Sequence, residues 1–173
     1  VLDAMSAEGR LLRSWRGGAA KIEGFLDDYA YFVFGLLDLW DATHEDAWGE
    51  AAERLARVMI DLFWDEGAGA FYTTNAHHEE LLARLKDSHD GATPSGNAVA
   101  VQALFRLAAL TGAEDFRRIA AATLRAFSGQ VVENPSAHTG MLSGLYAHLK
   151  PARQVVIVRS EERRVGKECR SRW

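Results

Sequence analysis

The chain is 173 residues long, 48% hydrophobic and 25% charged, an ordinary globular composition with enough length for one buried core. The net charge is −4, and the single cysteine, Cys169, falls in the segment 159–173, expected to be non-native. What remains is acidic and cysteine-free, which argues against a nucleic-acid surface, a disulfide framework, a cysteine nucleophile or a thiolate metal site. The longest apolar run, Tyr29 to Leu37, is about half of the roughly 20 residues a membrane span needs, so neither membrane nor nucleic acid is expected as a partner.

Val1-Leu2-Asp3-Ala4-Met5 reads as the end of a helix that begins upstream, so a fragment is expected. Leu11 to Arg16 alternates apolar and polar side chains and meets Gly17-Gly18, with Ala20 to Ile22 as the return, which predicts a small β-hairpin. The organising segment follows. Asp27-Asp28 leads into a helix over about Leu26 to Thr43 with no charge between Tyr29 and Leu37, and a helix apolar all round is expected to be surrounded by protein. From Asp46 to Phe63, Ala47, Ala51, Leu55, Val58, Met59 and Leu62 share one face, while Glu50, Glu53, Arg54, Arg57 and Asp61 share the other. That spacing predicts an outer helix covering the first.

Trp64 to Thr74 reads as an acidic, glycine-punctuated turn and a short aromatic strand, with Leu81 to Leu85 as its answering strand. His77 and His78 lie on a polar loop tip without a third ligand at zinc-like spacing, so no metal is expected there. After a loop from Lys86 to Pro94, Ser95-Gly96-Asn97 opens a second apolar helix over Ala98 to Leu110, whose polar members are Gln102 and Arg106. A second amphipathic helix turns Phe116, Ile119, Ala120, Leu124 and Phe127 inward. Ser136 to Leu149 reads as a third inner helix, with Gly140, Gly144 and Ala147 permitting close approach, and Gln154 to Val158 as a strand.

The order inner, outer, inner, outer carries a register. Leu36, Leu39, Thr43, Trp48 and Ala52 match Leu104, Leu107, Thr111, Phe116 and Ala120 at one offset of 68 residues, the signature of a repeat architecture. The fold class expected is therefore mainly all-α, built of helical hairpins with short β-hairpins on the rim. A partial α/α toroid and a simple helical solenoid both satisfy the pattern.

The motifs LLRSWR, GFLDDYAYFVFGLLDLWDAT, LFWDEGAGAFY, DGATPSGNAVAVQALFRLAALTG and QVVIV, in that order from Leu11 to Val158, resemble the C-terminal helical part of the YyaL and spermatogenesis-associated protein 20 family. That resemblance implies a partial (α/α)6 toroid, similar to six-hairpin glycosidases and N-acylglucosamine 2-epimerases, over residues 1–158. It also implies an upstream thioredoxin-like domain as a partner and a carbohydrate-like ligand. Residues 159–173 resemble a translated sequencing-adaptor read and are expected to be a non-native tail. They hold six of the 20 basic and three of the 24 acidic residues, and without them the net charge is −7.

If the inner helices point their starts at one rim, the groups gathered there are Asp27, Asp28 and Tyr29, then Ser95 and Asn97, then His138 and Thr139. Asp27, Tyr29, Ser95 and Asn97, with Asp90 and with Trp64 as a stacking platform, are the candidate ligand-binding residues. Asp28, His89 and His138 are the candidate catalytic ones. Carboxylates, amides and aromatic rings suit sugar hydroxyls, and two carboxylates could divide acid and base work across about 5 to 9.5 Å. Adjacent residues of a helix do not face each other, so a partner for Asp27 or Asp28 is sought in Asp65, Glu66 or Asp90. The same residues have a plainer reading: Asp, Ser and Asn are preferred helix caps, a histidine at an apolar helix start is commonly a satisfied core residue, and aromatics at helical spacing are commonly core. The functional expectation is a pocket for a small polyhydroxylated ligand, with no cofactor. The alternatives are a sugar isomerase, epimerase or glycosidase-like enzyme with a histidine base, and a non-catalytic docking platform for the thioredoxin-like domain. A cytoplasmic location is expected.

Overall fold

The computed structural model describes residues 4–7, 9–75 and 83–150. His77, His78, the strand expected over Gln154 to Val158 and the tail 159–173 fall outside them. Residues 4 and 5 form a turn and a bend, where a helix end was expected. They lead into strand β1 (Ser6–Ala7), which pairs antiparallel with β2 (Arg10–Arg16), and β2 with β3 (Ala19–Glu23). Gly17 and Gly18 turn that hairpin at φ 61 and 81, the conformation glycine reaches without a Cβ clash. Ile22 also stands at φ 65. It breaks the pairing opposite Arg13, since Leu12 pairs with Glu23 and Ser14 with Lys21.

The helices are α1 (Leu26–Thr43), α2 (Asp46–Phe63), α3 (Gly96–Thr111), α4 (Glu114–Glu133) and α5 (Thr139–Leu149). α1 packs on α2 and α3, and α3 packs in turn on α4 and α5, so α1, α3 and α5 form one layer and α2 and α4 the other. The mainly α-helical class expected from the spacing is observed. The amphipathic faces point as their periodicity requires: Ala51, Leu55 and Met59 of α2 are buried, as are Phe116, Ile119, Ala120 and Phe127 of α4. Ala47, in the first turn, is exposed instead. Burying side chains such as Phe63, Phe116 or Leu104 contributes about 1.5 to 3 kcal/mol each.

The 68-residue offset is visible in hydrogen bonds. Thr43 and Thr111 each end an inner helix, donate Oγ1–H to the carbonyls of Leu39 and Leu107, and accept the N–H of Glu45 and Ala113. The next residues, His44 and Gly112, close both helices in the left-handed region at φ 55 and 72. The outer helices then begin at Asp46 and Glu114. Equivalent outer helices are tied by Arg57, which bonds Asp115 at 3.1 Å, and the inner ones by Arg106, which grips Asp38 and Asp41 at 2.7 Å each.

Three local expectations are corrected. The strand that answers Ala70–Phe71 (β5) is Trp64–Asp65 (β4), across the glycine turn. Of the strand expected over Leu81 to Leu85, residues 81 and 82 lie outside the described residues and 83–85 are not a strand; the Leu85 carbonyl accepts the Thr73 N–H and hydroxyl. The third inner helix begins at Thr139, because Pro135–Ala137 form a 3-10 turn and His138, at φ −137 and ψ 37, departs from helical geometry between the two. Finally, α1 is not enclosed all round: Tyr31 and Leu39 are 38% and 43% exposed. Gly140 and Gly144 do allow close approach, since a Cβ on Gly144 would lie 2.6 Å from Val101 Cγ1, whereas Ala147 is exposed.

Candidate functional site at the inner-helix starts

Helix N-termini leave unsatisfied backbone donors, and here carboxylates from neighbouring segments bind them and draw the starts of α1, α3 and α5 to one rim. Asp28, in the first turn of α1, accepts the Phe25 N–H at 2.8 Å. Asp27 does not cap its own helix; its carboxylate lies against Gly96, at the start of α3. A Cβ on Gly96 would collide with Asp27 Oδ1, so glycine is what admits the carboxylate. Ser95 caps α3 through the Ala98 N–H. Asp90 spans two helices, accepting Ser95 N–H at 2.9 Å, Gly140 N–H at 2.7 Å and the Thr139 hydroxyl at 3.0 Å.

Asp27 and Asp28, with Arg13, Tyr31, Phe32, Leu11, Leu12 and Met5, line an open cavity of about 420 Å3 between the β-hairpin and the start of α1. The cavity wraps the helix end, so adjacent carboxylates pointing different ways both border it. Arg13 reaches Asp28 at 3.4 Å and lies 4.6 Å above the Phe25 ring. The Tyr31 hydroxyl donates to the Pro94 carbonyl at 2.8 Å, fixing that ring at the mouth. Partial burial, then the neighbouring Asp28 charge and the more distant Asp87, push the Asp27 carboxyl above the usual carboxylate range against the pull of Arg13 and the Gly96 N–H.

The other candidates divide. The Tyr29 hydroxyl is buried behind the cavity and accepts the Leu11 N–H at 2.8 Å, while its ring meets Phe63 edge-on. Asn97 is fully buried and bonded: Oδ1 accepts the Phe71 N–H, and Nδ2 donates to the carbonyls of Phe71 and Asp87. Trp64 packs on Phe71 with centroids 5.0 Å apart. Asp65 is held far below the usual range by Lys86 and by the Tyr72 hydroxyl. Asp65 and Asp90 do not line the cavity, and both are occupied by neighbouring donors.

His89 and His138 form a second cluster beside Asp90, with ring centroids 5.9 Å apart and nearly perpendicular planes. His138 is buried, and its Nδ1 lies 2.8 Å from the Asn134 carbonyl, which only a protonated nitrogen satisfies. Burial tends to raise the Asp90 carboxyl, but the N–H groups of Gly140 and Ser95, the Thr139 hydroxyl and His138 together hold it below the usual range. Sequence reasoning missed Arg13, Asp87 and Tyr31 as members of the carboxylate site. Arg13 falls inside the strand motif LLRSWR, and its alternation signalled a strand without saying which face it turned to Asp28.

Two layers of helices repeating at 68 residues, with polar groups gathered at the inner-helix starts, define the class as a helical-hairpin repeat protein. No family model matches the chain. It is 39% identical over 160 residues to spermatogenesis-associated protein 20 of Rattus norvegicus and of Homo sapiens, an overlap of 87% of this chain and 20% of each relative. An uncharacterized protein of Caenorhabditis elegans, B0495.5, is 26% identical over 155 residues. The chain is homologous to spermatogenesis-associated protein 20 over most of its own length; it spans about a fifth of the length of these relatives.

Proposed function

We propose that the cavity at the start of α1 binds a small polyhydroxylated, carbohydrate-like molecule. The observation that carries this reading is the pairing of Asp27 and Asp28 with Arg13, Tyr31 and Phe32 around one opening of ligand size. Carboxylates accept from vicinal hydroxyls, a guanidinium donates in a plane, and aromatic rings pack against the apolar face of a pyranose. Asp28 holds the Phe25 N–H and Arg13 through the same oxygen, Oδ2, so neither contact uses Oδ1. Tyr29, Ser95 and Asn97 support the site from behind, as packing and capping groups. Isothermal titration of the full-length protein against a panel of mono- and disaccharides tests the reading. Binding that weakens at least tenfold in Arg13→Ala and Asp28→Asn is expected, and binding unchanged in both would remove it.

An isomerase or epimerase reading has its own support in the contact of His89 with His138 beside Asp90. It expects turnover of a sugar to vanish in His138→Gln while far-ultraviolet circular dichroism stays unchanged.

A further inference from the structure

The lining of the cavity is unbalanced in charge. Arg13 is the one cation among its lining residues, against Asp27 and Asp28, and Asp87 acts on Asp27 from outside the lining. Arg13 is already committed to Asp28 and to the face of Phe25. The Arg13–Asp28 pair compensates itself in charge while leaving the guanidinium a planar donor, so an incoming anion would meet Asp27 uncompensated, with Asp87 adding to its negative field. An incoming ammonium would meet Asp27, which has like-charged neighbours, and Asp28 Oδ1.

We infer that the cavity selects a polyhydroxylated ligand carrying a protonated amine, an amino-sugar type of molecule, over neutral and anionic analogues. This rests on the sugar-binding reading of the same cavity. A hydrogen bond from an ammonium to a carboxylate is roughly twice as strong as its neutral counterpart, whereas a phosphate or uronate carries like charge toward Asp27 and Asp28. The mouth is open, so solvent screens part of the effect, and the preference is expected to shrink as salt is added.

The test is a competition series on the full-length protein with glucosamine, glucose and glucose 6-phosphate, at low and high salt. Glucosamine is expected to bind on the order of tenfold more tightly than glucose, and glucose 6-phosphate more weakly than either. The preference should contract in Asp28→Asn and in Asp87→Asn; the second lies outside the cavity lining and reports charge without altering contacts. Equal binding of glucosamine and glucose, or tighter binding of the phosphate, overturns the amine selection and leaves the sugar site standing. Failure of all three sugars to bind, with the fold intact by circular dichroism, overturns both.

Discussion

The Asp27 carboxylate stands beside Asp28 and within the field of Asp87, so ionising it works against partial burial and like charge. Its folded pKa is raised above the unfolded value of about 3.9. The contribution it makes to stability is therefore full below that value and is lost as pH rises through the folded pKa. Asp27→Asn is expected to match or exceed the parent in urea midpoint at neutral pH, with the advantage vanishing in acid. Asp90 has the opposite sign. Its pKa is lowered, so its contribution is present above about pH 3.9 and fades as pH falls through the folded value. Asp90→Asn should be the less stable protein at neutral pH and converge on the parent in acid. If Asp27→Asn were as damaging at neutral pH as Asp90→Asn, Asp27 would be a structural cap and the binding site would lose a member. Asn97 makes a sharper case, since Asn97→Ala strands the Phe71 N–H and two carbonyls in the interior. A loss of at least about 2 kcal/mol in chemical denaturation is expected.

At the scale of the element, the repeat supplies paired experiments. His44 and Gly112 occupy equivalent positions and both have positive φ, where a Cβ costs roughly 1 to 2 kcal/mol. His44→Gly should therefore raise the melting temperature and Gly112→Ala should lower it, and a shift of the same sign in both would contradict the equivalence of the two turns. In α5 the small residues matter by contact: Gly144→Ala places a Cβ 2.6 Å from Val101 Cγ1, an overpacking worth about 1 to 3 kcal/mol of destabilisation by thermal melting. The helix bounds of α1 and α2 are those read from spacing, because apolar side chains at i, i+3 and i+4 leave few ways to bury one face. The start of α5 was less legible. Ser136 and His138 look like helix-opening residues, yet the 3-10 turn after Pro135 uses them to bring the Ala137 carbonyl to the Asp90 N–H at 2.8 Å.

For the molecule as a whole, the repeat says what the free side of α1 is shaped for. Tyr31 and Leu39 stand partly in solvent, while their equivalents at the 68-residue offset, Val99 and Leu107, are 5% and 0% exposed. Tyr31 is already bonded to Pro94 at the mouth of the cavity, so it is Leu39, whose repeat partner is buried, that suits contact with another helix. In a full-length protein of this family, Leu39→Cys is expected to resist thiol labelling, and in the present chain alone to label freely. Rapid labelling in both would argue for an open array over a closed ring. Among the described residues no helix is long and apolar enough to cross a membrane.

What the sequence determined by itself was the alternation of inner and outer helices, the bounds of α1 and α2, and the period. Each follows from local burial patterns that a few neighbouring residues express. Which polar group serves which partner was decided only by tertiary structure. Asp27 lies against the start of a helix 69 residues further along the chain, Asp90 joins two helices it belongs to neither of, and Arg13 meets Asp28 from the hairpin. A carboxylate that caps, one that bridges and one that faces a cavity are the same residue type in sequence. They differ only in which backbone donors the packed helices bring within reach.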